Sequence, residues 1–98
     1  MTITRKQNGT ALELALEGRL DTMTAPELEA ELNKSLDGTD SLTLDFSKLE
    51  YISSAGLRVL LSAHKAMTPK GGMKLTNVND VVQEVFEVTG FSDILTIE

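Results

Sequence analysis

The chain has 98 residues, of which 41% are apolar and 24% charged, a composition typical of one compact globular domain spanning residues 1–98. Its formal net charge of −6 disfavours nucleic acid and anionic membranes as partners, because both require a basic protein surface. The sequence contains no cysteine and one histidine, so it offers no sulfur-ligated metal site and no thiolate nucleophile. We therefore expect no metal, no cofactor and no membrane insertion, and a cytoplasmic location, since no apolar leader or spanning segment is seen.

Hydrophobic periodicity and turn signals divide the chain into alternating strands and helices. An Asn8-Gly9 turn joins the first two strands into a hairpin, and the Thr24/Glu27 spacing resembles a capping box at the start of the first helix. Asp80 is the predicted cap of the third helix. The predicted strands span 2–7, 10–16, 41–46, 73–76 and 93–97, and the predicted helices start at about 24, 54 and 80.

This β-β-α-β-α-β-α-β order predicts an α/β fold with a mixed sheet and helices packed on it. Strands separated by helices favour parallel pairing, whereas the opening hairpin is antiparallel.

The most informative segment lies where a short loop is expected to lead from the third strand into the second helix. Ser53 and Ser54 are followed by Ala55 and Gly56, and either serine can cap the helix by accepting a backbone N–H bond. Two explanations of the small residues stay open. They leave the backbone uncrowded for a protein partner, or Gly56 simply fits a tight contact between helix and sheet.

The chain resembles the STAS domain family, named for sulfate transporters and anti-sigma factor antagonists, and in particular its stand-alone antagonist branch. The similarity extends over essentially the whole chain and depends on two motifs. One comprises Gly18–Asp21 with Thr24–Leu28 behind it, and the other runs from Asp45 to Leu57. Aligned on Gly56, the family's phosphorylated serine falls on Ser54. The aspartate that usually precedes it is replaced here by Ser53, which is the second choice of acceptor.

The resemblance implies a partner switch in which the chain itself catalyses nothing. The unphosphorylated protein would bind an anti-sigma factor that is also a serine kinase, and so release the sigma factor. Phosphorylation of Ser54 would end that binding, and a metal-dependent serine phosphatase would restore it. Asp21, Thr24, Ser53, Ala55, Gly56 and Arg58 are the other residues predicted to contact the partner.

Three other functions stay open at this point. Within the same fold, the chain would act as an accessory or docking subunit of a transport ATPase, without phosphorylation, or as a ligand-sensing module. An enzyme with a serine nucleophile would need a base near Ser54, and His64 is better interpreted as a packed or half-exposed helix residue. Arg58 is either a partner for the phosphate or for an acidic residue, or a solvated surface side chain.

Overall fold

The fold is that of a five-stranded sheet with three helices, described by a computed structural model of all residues, Met1–Glu98. The strands are β1 (Thr2–Asn8), β2 (Ala11–Leu20), β3 (Ser41–Ile52), β4 (Met73–Thr76) and β5 (Thr96–Ile97). The helices are α1 (Ala25–Ser35), α2 (Ser54–Met67) and α3 (Asp80–Thr89), and a short 3₁₀ turn spans Phe91–Asp93.

The strands lie in the sheet in chain order, β1-β2-β3-β4-β5. The β1–β2 pair is antiparallel and the other three pairs are parallel, which confirms the predicted mixed α/β sheet. Because parallel neighbours require crossover connections, α1, α2 and α3 each link consecutive strands.

One face of the sheet carries the core. In β2 and in β3 as far as Phe46, alternate side chains are buried while those between them are exposed or half-buried, as expected for a sheet covered on one side. The buried residues of these two strands are Leu12, Leu14, Leu16, Leu20, Leu42, Leu44, Phe46, Leu49 and Ile52. Phe46 meets Phe86 of α3 with ring centroids 6.4 Å apart, so α3 packs on this same face.

Both central strands are longer than predicted. The sequence predicted that β3 would end at Phe46 and be followed by a loop, but the strand continues to Ile52 beside the extended end of β2. The register shifts opposite Ala15–Glu17 and Gly18–Arg19 each add one residue to β3, and these extra residues interrupt the alternation of apolar residues in β3. A bulge of this kind places two residues opposite one. The alternation of apolar and polar residues therefore stops before the strand itself ends.

The last strand is shorter than predicted. The segment predicted to be extended from Asp93 begins with the 3₁₀ turn, and only Thr96–Ile97 pair with β4. The three helices lie close to their predicted positions. None of them has the length and apolar composition that crossing a membrane requires.

Candidate functional site

The two serines lie at the carboxyl ends of β2 and β3, where the sheet passes directly into α2. Ile52 is the last residue of β3 and pairs with Leu20, the last residue of β2. The Ser53 N–H donates to the Leu20 carbonyl over 2.9 Å, and α2 begins at Ser54. The turn that follows β2 is thereby held beside the first turn of α2.

Ser53 and Ser54 differ sharply in accessibility. Ser54 is exposed, whereas Ser53 is half-buried and its Oγ is fully buried without a hydrogen-bond partner. Ser53 occupies the cap position in an extended conformation, yet its side chain makes no cap hydrogen bond, contrary to the expectation that one of the serines caps the helix.

The first turn of α2 therefore presents free donors. The Leu57 N–H donates to the Ser53 carbonyl, but the N–H groups of Ser54, Ala55 and Gly56 donate no backbone or side-chain hydrogen bond. These N–H groups lie at the positive end of the helix dipole, an arrangement that favours a negative group.

Gly56 is explained by packing. It is buried, and a Cβ placed on it would lie 2.7 Å from Leu20 Cγ and 2.9 Å from Ile52 Cγ1, closer than real Cβ atoms approach other atoms. Of the two explanations left open by the sequence, the tight contact between helix and sheet holds for Gly56. Its influence on a partner surface is indirect, through the position of α2, whereas the neighbouring Ala55 is half-buried and Ser54 open to solvent.

The turn after β2 is built around Asp21. Its Oδ1 accepts hydrogen bonds from the N–H groups of Met23 at 3.0 Å and Thr24 at 3.1 Å. Thr24 Oγ1 donates to the Arg19 carbonyl at 2.7 Å and accepts from the Asp21 N–H at 2.9 Å. The predicted capping box is therefore wrong, because the Thr24 side chain closes the turn preceding α1 and makes no bond to the helix start.

Hydrogen bonding keeps this carboxylate ionised. Partial burial alone would raise the pKa of Asp21, but the bonds from the Thr24 and Met23 N–H groups and the nearby Arg19 charge hold that pKa below its usual value. Asp21 is thus a fixed negative group beside the start of α2.

Three residues near this turn were not among the predicted partner contacts, although Arg19 and Tyr51 lie within the two family motifs. Arg19 pairs with Tyr51 of β3 in the sheet, and its guanidinium lies 4.5 Å from the centroid of the Tyr51 ring. Arg19 Nε also lies 3.8 Å from Asp21 Oδ2. Met23 is 84% exposed, more than any other large apolar side chain. The available signal for Met23 was a bulky apolar residue inside a turn of Asp and Thr, where burial is not expected.

Arg58 and His64 follow on α2. Arg58 is exposed, four residues beyond Ser54, and forms no ion pair with any acidic side chain. His64 is half-buried as predicted, with its Nδ1 buried and unpartnered. It lines a groove together with Ser41 and Gly71 at the amino ends of the parallel strands, the edge opposite Ser54.

No cluster of His, Asp and Glu side chains suited to holding a metal ion occurs.

Known proteins resemble this chain in sequence and in fold. The family model described as "Mlab, STAS domain" matches residues 3–96. BtrV of Bordetella bronchiseptica, provisionally named an anti-sigma factor antagonist, is 37% identical over 99 residues, covering 99% of this chain and 85% of BtrV. The chain belongs to the STAS domain family.

Solved structures agree in fold. An anti-sigma factor antagonist from Mycobacterium paratuberculosis superposes with a TM-score of 0.88 at 21% identity, covering 98% of this chain and 83% of that one. The Bacillus cell fate determinant SpoIIAA in its phosphorylated form superposes with a TM-score of 0.76 at 16% identity, covering 99% of this chain and 91% of that one.

Proposed function

We propose that this protein is an anti-sigma factor antagonist whose binding is controlled by phosphorylation of Ser54. The unphosphorylated chain binds an anti-sigma factor that is also a serine kinase and so releases the sigma factor. Transfer of a phosphoryl group to Ser54 ends that binding, and a metal-dependent serine phosphatase removes the group. The chain acts by binding alone, as a regulatory protein. Its relationship to named anti-sigma factor antagonists supports this function.

The observation that carries the proposal is the contrast between the two serines. A kinase must bring the acceptor oxygen in line with the γ-phosphate of ATP, so the hydroxyl has to be reachable. Ser54 is exposed at the start of α2, whereas the Ser53 hydroxyl is buried under it. This contrast favours Ser54 as the acceptor, and Ser53 would become one only after the helix start had opened.

The surroundings of Ser54 tolerate a phosphate in the free protein. Phosphoserine carries a charge of about −1.5 to −2 at neutral pH. The free N–H groups of the first turn of α2 and its dipole stabilise such a charge, and Arg58 is available one turn further along. Phosphorylation is therefore expected to leave the fold intact.

The same phosphate opposes a close-packed complex. A dianion between two surfaces introduces steric conflict and loses water that the interface does not replace, and Asp21 adds a like charge from the neighbouring turn. A loss of about 3 kcal/mol would weaken binding by more than a hundredfold. Asp21, Thr24, Ala55 and Arg58 would form the rim of this surface, and Met23 would supply an exposed apolar contact.

The test begins with the intact mass of the protein isolated from its native host, followed by peptide mapping of residues 49–58. We expect one phosphoryl group on Ser54 that disappears on phosphatase treatment. A phosphate on Ser53 would contradict the assignment of the acceptor. Absence of phosphate under every growth condition would contradict the switch and favour the docking subunit of a transport ATPase.

Binding variants complete the test. Ser54→Ala and Ser53→Ala should both bind the host's anti-sigma kinase, and only Ser53→Ala should still accept phosphate from it. Ser54→Glu should bind at least tenfold more weakly in isothermal titration, because it places a negative charge at the contact. Ser62→Glu, an exposed position on the same helix, is the matched control for charge. Equal weakening by both glutamates would rule out a contact specific to Ser54.

A further inference from the structure

Helix α3 carries two apolar stripes, of which the fold uses only one. Val82 and Phe86 are fully buried against the sheet. Val81, Val85 and Val88 follow the i, i+4, i+7 spacing of a second helix face. Val81 is 56% exposed, Val88 is 77% exposed and Val85 is half-buried between them. The three side chains therefore form a continuous apolar ridge at the surface.

The choice of valine at these positions is unfavourable in the isolated domain. β-Branched side chains lose rotamer freedom in a helix, and exposed helix positions are better filled by alanine, glutamate or lysine. At 56% and 77% exposure, Val81 and Val88 gain little from helix propensity and only part of the stabilisation that full burial of a valine would give. Two such residues in one short helix point to burial by a surface outside this domain.

The charges around the ridge define what can cover it. Asp80, Glu84 and Glu87 are exposed on the same helix, which contains no lysine or arginine. At 100° per residue these three acids lie along one side of the ridge, so a second copy packed antiparallel on it would bring acid against acid and be repelled. A partner helix with an apolar stripe and basic residues along the side that faces Asp80, Glu84 and Glu87 would instead pair with these acids.

We propose that the outer face of α3 is a docking surface for an amphipathic helix of another protein, with an apolar ridge flanked by lysine and arginine. Recognition of this kind places i, i+3, i+4 and i+7 anchors against an apolar face. The surface lies on a different helix from Ser54, so its occupancy does not require the unphosphorylated state. This inference is independent of the function proposed above.

The probe for the test is a synthetic peptide of about 18 residues, long enough to form a helix, with leucines at i, i+3, i+4 and i+7 and lysines beside them. The control peptide has the same leucines with glutamates in place of the lysines. Each is titrated into the full ¹⁵N-labelled protein, and chemical-shift changes locate the binding surface. Protein variants are Val81→Ser/Val88→Ser, Glu84→Gln and Ser54→Glu, with Met23→Ser as an exposed apolar control on another element.

We expect the lysine peptide alone to bind, with shift changes concentrated on residues 80–89. The double valine variant should bind about tenfold more weakly, and Glu84→Gln should reduce both affinity and salt dependence. Met23→Ser and Ser54→Glu should bind as the wild type does. Absence of binding, shifts centred elsewhere, equal binding of the glutamate peptide or an unaffected double variant would each overturn the proposal. None of these outcomes involves the anti-sigma kinase, so they leave the assignment of Ser54 untouched.

Discussion

Adjacent residues of the same type have different environments at the start of α2. Ser54 is exposed, whereas the Ser53 hydroxyl is buried and lacks a hydrogen-bond partner. A buried hydroxyl without a partner has lost its bonds to water and gained nothing in exchange. Ser53 therefore contributes less to stability than a serine at a helix cap usually does.

Ser53→Ala is accordingly expected to change the free energy of unfolding by less than about 0.5 kcal/mol, or to raise it, since no hydrogen bond is lost. Replacing a serine that does cap a helix by alanine lowers the free energy of unfolding by about 1 kcal/mol. Urea denaturation followed by circular dichroism measures the difference. A loss of 1 kcal/mol or more would mean that the Ser53 hydroxyl is bonded in solution.

Gly56 is the second residue at this site whose role depends on its neighbours. Gly56→Ala is expected to lower the free energy of unfolding by about 1–2 kcal/mol, because the new Cβ would overlap Leu20 and Ile52. This happens although alanine is the better helix former by about 1 kcal/mol. Ser62→Ala, at an exposed position of α2, is the control and should be neutral or slightly stabilising. Equal stability of both variants would contradict the tight contact.

At the scale of single elements, the cap of α3 shows how a neighbouring residue can be mistaken for the functional one. Asp80 was predicted to cap this helix, but Asn79 does so, with its Oδ1 accepting from the Val82 N–H at 2.8 Å. Asn79 Nδ2 also donates to the Leu49 carbonyl of β3 at 2.8 Å. One side chain thus begins α3 and ties it to the sheet.

Asn79→Ala is expected to reduce the free energy of unfolding by about 2 kcal/mol, since it removes both the cap and the bond to β3. Asp80→Asn is the matched control. It keeps the size of the side chain and removes only a charge near the helix dipole, worth at most about 1 kcal/mol. Thermal unfolding of the two variants compares them directly, and a larger effect at Asp80 would reverse the assignment of the cap.

The regular part of the architecture could be predicted because apolar periodicity and turn residues act locally. The opening hairpin, the three helices and their order are examples, but the predicted Asn8-Gly9 turn is wrong by one residue, because Asn8 pairs with Ala11 and the turn residues are Gly9 and Thr10. The extension of β3 to Ile52 could not be predicted, because the bulges opposite β2 break the alternation and arise from pairing between strands distant in sequence. At the site, the sequence located both serines, but burial of one hydroxyl depends on tertiary packing that local pattern does not contain.

For the whole molecule, two carboxylates link stability to pH. Asp45 Oδ1 accepts from Asn77 Nδ2 and the Ser47 N–H, each at 2.9 Å, and these bonds lower the pKa of Asp45. The pKa of Asp21 is also lowered, because its N–H hydrogen bonds outweigh burial. Groups with a lowered pKa in the folded state stabilise the fold above their unfolded pKa of about 3.9. That contribution is lost as the pH falls through the folded value.

The contribution of these two carboxylates to the free energy of unfolding is therefore expected to be constant between about pH 5 and 7. Below about pH 4 this contribution is lost, and the free energy of unfolding falls. Asp45→Asn should be less stable than the wild type at pH 7 and should lose less on acidification. Urea denaturation at a series of pH values measures both slopes. Asp37→Asn, at an exposed position without hydrogen bonds or ion pairs, should follow the wild type.

The contact of Gly56 with Leu20 and Ile52 has a consequence for recognition. A helix whose first turn lies directly on the sheet has little freedom to shift or tilt, so we expect Ser54 and the Asp21 turn to keep the same relative position when a partner binds. Association then costs little conformational entropy on this side of the interface. Any ordering seen calorimetrically on complex formation would belong to the partner, and this chain would serve as a rigid template.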